Sequence, residues 1–394
     1  MKLKLSRYEL IYVLFFLIHI FKLGWLVLIP NALFYLLSLF NKSYKNLAAF
    51  FIFLYAVHSS ILLVLTVDIG SLRAAMIDFK LVSMLGIFVF FSYWSRKRYF
   101  DLNGFGRLII ISILSYVVIS VLLNGYLDQR VLIRGDAGLL LIVALIFLLP
   151  FDLGMLRRNV IWLVIIFALL LIYQGRASMA LGSLGITYYL YNALRYRLFS
   201  KALIPFYIVL PIVMVLAMLM VYTDRANDIK DSIGASVVES EARFMAFFVL
   251  LDVVARSSVL QLLFGNGFGI DYATKIDCLN SFVCLHVDNI VHGNDGIYPA
   301  LGFHNELIRI FLTTGFLGVS FITGFFMSLW IPARKQLTRE SLKLRLQLNT
   351  LLIVFAVSFF SHGVLGTTMT GFVLLACTAA LSNNFRNRSK NVPT

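Results

Sequence analysis

His304-Asn305-Glu306-Leu307-Ile308-Arg309-Ile310-Phe311-Leu312-Thr313-Thr314-Gly315-Phe316-Leu317-Gly318 is the stretch on which the fold turns. The polar residues end at Glu306. From Leu307 an apolar run continues to Trp330, long enough for a helix that crosses about 30 Å of bilayer hydrocarbon. Upstream, from Tyr222, lies the one long polar run of the chain. A sequence that concentrates its polar chemistry in one loop, and is otherwise apolar, works where that loop meets the bilayer.

The composition agrees. The 394 residues are 60% hydrophobic and 13% charged, with 36 Phe and a mean hydropathy of +0.90. A soluble domain is about half apolar and about a quarter charged, so this is an integral membrane protein. Its spans are apolar runs of helical length, which predicts a helical bundle and not an outer-membrane barrel. The first apolar run has no small-residue cleavage site and leads straight into a second, so no cleavable signal peptide is expected. The net charge of +15 does not point to nucleic acid, because most basic residues sit in short loops between apolar runs. Three Cys are too few for a disulfide scaffold or a thiolate metal site.

Working outward, the runs predict about twelve transmembrane helices. Leu10–Phe40 reads as two short spans with a turn at Lys22–Gly24. Single spans follow at about Leu47–Val67, Met76–Trp94, Gly104–Leu123, Ala137–Leu153, Val160–Tyr173, Met179–Leu194 and Ala202–Tyr222. The tenth is Leu307–Trp330, and Leu348–Leu381 holds two more around Ser361-His362-Gly363. Three regions result: 1–222 with nine spans, a long loop over 223–304, and 305–394 with three spans and a tail. With the N-terminus inside, the inner loops and tails carry 21 of the 34 Lys and Arg. The long loop, acidic on balance, faces outward, and so does the Gln174–Ser178 turn. Within the loop, Phe244–Leu251 is apolar and is expected to lie on or re-enter the membrane surface.

The candidate chemistry sits at that outer side. His304, at the mouth of the tenth span, can take a proton near neutral pH, or simply bond a backbone carbonyl at the interface. Arg309, one turn deeper, reads as a structural pair with Glu306. Arg176 lies in a tight turn between two apolar helices with no acid nearby in sequence. It suits either phosphate binding, through its planar donors, or snorkelling toward headgroups. Arg243 follows Glu239 at helical i,i+4 spacing and would sit at headgroup depth, with Glu241 beside it. Gly265-Asn266-Gly267-Phe268-Gly269 lacks the preceding strand and following acid of a dinucleotide site, and reads as a tight loop. His286, Asp288, His292 and Asp295 match no helix-based ligand spacing, so no metal is expected. His19 and His58 read as bonded core residues. Cys278 and Cys284, six apart in an outward loop, are expected to form a disulfide.

In order, Gln174-Gly175-Arg176-Ala177-Ser178, Glu241-Ala242-Arg243-Phe244, Leu263-Phe264-Gly265-Asn266-Gly267-Phe268-Gly269, His304-Asn305-Glu306-Leu307 and Gly315-Phe316-Leu317-Gly318 resemble the O-antigen polymerase and O-antigen ligase superfamily. The specific similarity covers Tyr173 to Gly318; the first 150 residues match in topology alone. The resemblance implies a GT-C type glycosyltransferase fold in the bacterial inner membrane, both termini cytoplasmic and the long loop periplasmic. It implies glycans on undecaprenyl diphosphate as substrates, with neither cofactor nor metal. Arg176 and Arg243 would match the arginines that hold the diphosphate, with Glu241 and Asn305 lining the substrate. His304 would match the catalytic His. Membrane lipids, a chain-length regulator and a flippase are the implied partners. A divergent, Phe-rich chain with a modest loop looks more like a polymerase than a ligase. A transporter is the reading from another class; few central charges and no paired discontinuous helices speak against it.

Overall fold

The architecture comes from a computed structural model. It describes residues 47–66, 84–89, 101–124, 136–173, 176–198, 200–210, 253–268, 306–331, 338–361 and 368–390, with a few isolated positions between them. The helices are α1 (Leu47–Thr66), α2 (Leu102–Asn124), α3 (Asp136–Leu148), α4 (Leu153–Tyr173) and α5 (Arg176–Arg195). They continue with α6 (Lys201–Leu210, opening as a 3-10 turn), α7 (Val259–Phe264), α8 (Glu306–Leu329), α9 (Arg339–Ser361) and α10 (Thr368–Lys390).

The protein is all-helical, and no described residue lies in a strand. Four stretches are long and apolar enough to cross a bilayer: α1, Leu153–Leu170 of α4, α8, and Arg339–Phe359 of α9. In hydrocarbon every backbone polar group needs an internal partner, and a helix supplies it within one segment. Several hydroxyls carried into the helices bond back to their own turns. Thr350 donates to Leu346 O, Thr378 to Leu374 O and Thr313 to Arg309 O. These three residues therefore enter their helices without an orphaned donor, whereas the buried Tyr55 and Ser59 hydroxyls of α1 make no such bond.

α9 is the most enclosed of the four and packs against α3, α5, α8 and α10. The side-chain pairs fix the directions. Gly185 of α5 faces Thr350 and Val354 of α9, while Arg339, at the start of α9, donates to Leu198 O just past α5. α5 and α9 are thus antiparallel. α1 and α8 are antiparallel too: His58 meets Thr314, the Tyr55 ring lies against Gly318, and the Phe51 ring against Gly324. At the far end of α8, the Trp330 ring lies 6.2 Å from that of Tyr188 in α5, and Arg345 and Asn349 of α9 both donate to Ile331 O. α5 and α8 therefore run the same way; counted back from the Tyr188–Trp330 contact at about 1.5 Å per residue, Arg176 begins about 18 Å further along the bundle than Glu306.

Two helices begin earlier than the apolar runs suggest. α4 takes in Arg157 and Arg158, and α9 takes in Arg339, Lys343 and Arg345, all expected in loops. The cause is capping. Asp152 Oδ1 accepts from the Met155 amide at 2.8 Å, and Thr338 Oγ1 accepts from the Ser341 amide at 3.2 Å. Each starts a helix that good helix-forming Arg and Lys then extend. α3 stops at Leu148, ahead of Pro150, where the sequence suggested Leu153. The two spans within Leu10–Phe40 and most of the span at Met76–Trp94 lie outside the described residues.

Candidate active site

α8 is not one continuous helix. It breaks at Gly315, whose φ of 65° and ψ of −165° are non-helical. A break strands the carbonyls of the preceding turn, which in a bilayer would cost several kcal/mol each if left bare. Here each has a partner from elsewhere. The Asn266 amide donates to Leu312 O at 2.9 Å, the Gly267 amide to Thr313 O at 3.0 Å, and His58 Nε2 to Thr314 O at 2.9 Å. The last bond puts the His58 proton on Nε2 in the neutral ring. His58 is thus a bonded residue of the interior, as its setting suggests.

The donors for two of those carbonyls come from the long polar region. α7 starts at Ser258, which makes a reciprocal capping box with Gln261, and it ends at Gly265 with φ 91°. Its apolar side chains Val259, Leu260, Leu263 and Phe264 are exposed. They face the hydrocarbon if α7 lies at the depth of the α8 break, about 12 Å along the helix from Glu306. The polar region thus meets the bundle at 259–268, beyond the Phe244–Leu251 stretch singled out from sequence. The dock is backbone against backbone. A Cβ on Gly315 would overlap the Gly265 amide and Leu263 carbonyl, and one on Gly265 would overlap the Thr313 carbonyl. Both residues have positive φ, so glycine is required twice over. The Phe268 amide then donates to Thr66 Oγ1 at 3.1 Å, tying the same loop to the end of α1.

Ahead of the break, the first part of α8 is polar on its buried side. Glu306 and Arg309 lie 3.6 Å apart, side chains 0% and 5% exposed. This is the i,i+3 pair read from the sequence. The carboxylate in the first turn also complements the positive end of the helix. The buried Tyr55 hydroxyl of α1 faces Thr314 and Ser59 and lies within electrostatic reach of both Glu306 and Arg309. A column of polar groups thus runs inward from the start of α8 to His58.

Arg176 is the first residue of α5, which runs parallel to α8 but begins about 18 Å further along the bundle than Glu306. His304 and Asn305 immediately precede Glu306, the first residue of α8, and lie outside the described residues. So do Glu241 and Arg243, the apolar stretch Phe244–Val249, Cys278 and Cys284, and the loop residues His286, Asp288, His292 and Asp295. Among the described residues no three His, Cys, Asp or Glu side chains converge as metal ligands. Sequence reasoning missed α7 and the α8 break. For α7 the signal was present: Ser258-x-x-Gln261 before an apolar run is a helix-start signature. Nothing in Gly315-x-x-Gly318 distinguished a break from a close helix contact. The sequence matches no protein-family model and none of the curated proteins it was compared with.

Proposed function

We propose that this chain is an O-antigen polymerase, a glycosyltransferase joining undecaprenyl-diphosphate-linked repeat units at the periplasmic face of the inner membrane. The observation that supports it is the dock of the 259–268 segment, which carries the resemblance's Leu-Phe-Gly-Asn-Gly-Phe motif, against the α8 break at Gly315, where its Gly-Phe-Leu-Gly motif begins. Arg176 begins α5 and His304-Asn305 leads into α8, two helices that run the same way.

In this reading the acceptor hydroxyl of one lipid-linked unit attacks the anomeric carbon of another. The carbon–oxygen bond to undecaprenyl diphosphate breaks with inversion. His304 takes the hydroxyl proton as the new bond forms. The charge develops on the leaving diphosphate, which Arg176 and Arg243 would stabilise. Glu306, buried and tied to Arg309, anchors the helix start that carries His304.

A deletion strain complemented with variants tests this. Loss of a polymerase leaves lipid A–core capped with one repeat unit. Loss of a ligase, the second activity the resemblance allows, leaves the core bare and polymer held on undecaprenyl diphosphate. Arg176→Ala, Arg243→Ala and His304→Ala are each expected to abolish polymer at normal protein levels. Arg→Lys should recover only part, because an ammonium cannot make the bidentate contact. Normal polymer from His304→Gln would move the base to the loop acids, Glu241 and Asp295 first.

A further inference from the structure

At the opposite end of the bundle, α5 ends in a way that its sequence does not favour. The Leu198 amide donates to Ala193 O at 2.9 Å and the Arg197 amide to Leu194 O at 3.0 Å. This is the paired-bond helix stop whose left-handed position is usually a glycine. Here Arg197 occupies it, with φ 51°, the sole non-glycine residue of positive φ among the described residues. A side chain there is strained, and strain that persists calls for a role.

The role is visible in what surrounds it. Arg197 and Lys201 line an open cavity of about 400 Å³ with Ala193, Leu194 and Ile204. That is within the roughly 300–1,000 Å³ of small-molecule sites. The neighbouring cations are already engaged. Arg339 donates to Leu198 O, Arg345 donates to Ile331 O and covers the Tyr196 ring, and Lys343 pairs with Glu340. Among the described residues neither Arg197 nor Lys201 forms an ion pair, since the described salt bridges are Glu306–Arg309 and Glu340–Lys343. The apolar side of the cavity continues into exposed Leu194, onward along α6 into exposed Ile208 and Val209, and to exposed Ile212 just beyond it. Two cations with no ion pair among the described residues, beside an apolar wall, match a phosphate joined to acyl chains. A soluble anion would leave that wall uncovered.

We propose that this cavity binds an anionic phospholipid, with Arg197 and Lys201 on its phosphate and its chains along Leu194 and α6. The end in question is the one the basic residues assign to the inside of the membrane, where anionic headgroups attract juxtamembrane cations.

The test uses the full-length protein, delipidated in neutral detergent and titrated with phosphatidylglycerol, phosphatidylcholine or inorganic phosphate, with bound lipid counted by native mass spectrometry and melting temperature measured in parallel. Phosphatidylglycerol is expected to bind and raise the melting temperature, phosphatidylcholine to do neither. Affinity should fall about fivefold for each cation removed and about thirtyfold for Arg197→Ala with Lys201→Ala. Arg197→Gly separates binding from folding: it relieves the left-handed strain, so the lipid-free protein should melt no lower than wild type while phosphatidylglycerol binding weakens. Unchanged binding in Arg197→Gly, or equal binding of phosphatidylcholine, overturns the proposal. Protection by inorganic phosphate equal to that by phosphatidylglycerol also overturns it, in favour of a free-anion site. If the double variant fails to fold, Leu194→Trp in the otherwise wild-type protein gives the second reading. Its added fluorescence should be quenched more by brominated-chain phosphatidylglycerol than by brominated phosphatidylcholine, and equal quenching counts against the site.

Discussion

The two ends of the bundle solve one problem with different materials. At each, backbone carbonyls are left over where a helix breaks or stops. At the α8 break they are taken by backbone amides of Asn266 and Gly267 and by the short reach of His58. At the opposite end they are taken by side chains: Arg339 on Leu198, and Arg345 together with the shorter Asn349 on Ile331. A backbone donor cannot be repositioned without moving the chain. A guanidinium on a flexible stem can. The first end should therefore be intolerant of substitution and the second forgiving.

That contrast can be broken most directly at the glycine contact. Gly315→Val or Gly265→Val forces a Cβ into opposing backbone at a positive φ, and should cost on the order of 5 kcal/mol. Recovery of monodisperse protein after detergent extraction should fall to background; wild-type recovery would mean that the segment is not locked to α8. Next is Arg309→Leu, which leaves Glu306 buried beside an apolar group, at about 3–5 kcal/mol. Thermal unfolding in detergent reads it, and adding Glu306→Gln should restore most of the loss. Smaller again is His58→Phe, which strips Thr314 O of its donor at about 1–3 kcal/mol, with His58→Gln recovering part. Faster amide exchange in 259–268 should accompany it. The smallest effect belongs to the other end: Arg345→Lys should lower stability by about 1 kcal/mol or less, since an ammonium still reaches Ile331 O. An Arg345→Lys loss larger than that of His58→Phe would reverse the comparison.

What the sequence discloses follows from where each kind of information resides. α1, α2, α5 and α8 lie within a few residues of their apolar runs, because burial in hydrocarbon and helix length are written in composition. The Glu306–Arg309 pair is legible for the same local reason, being three residues apart on one helix. The starts of α4 and α9 are misplaced because charge was taken as the boundary, whereas Asp152 and Thr338 set it by capping. The break at Gly315 could not be read at all. Its partners, His58 and Asn266, are supplied by distant parts of the chain, and glycine spacing alone does not say what approaches. Of the candidate site, the structure gives the starting points of two helices, with Arg176 at one and His304 just ahead of the other.

The dock between α1 and the 259–268 segment also sets a schedule for biogenesis. His58 and Thr314 are 256 residues apart, and Thr66 and Phe268 are 202 apart. At about 5–20 residues per second of synthesis, α1 waits on the order of 10–50 s for these partners to emerge. Until then the His58 imidazole lacks its native acceptor, and the helix end that His304 precedes does not exist. The polar column is therefore assembled last, after most spans are already in the bilayer. An interrupted chain lacks this dock, and only a nearly complete one can close it.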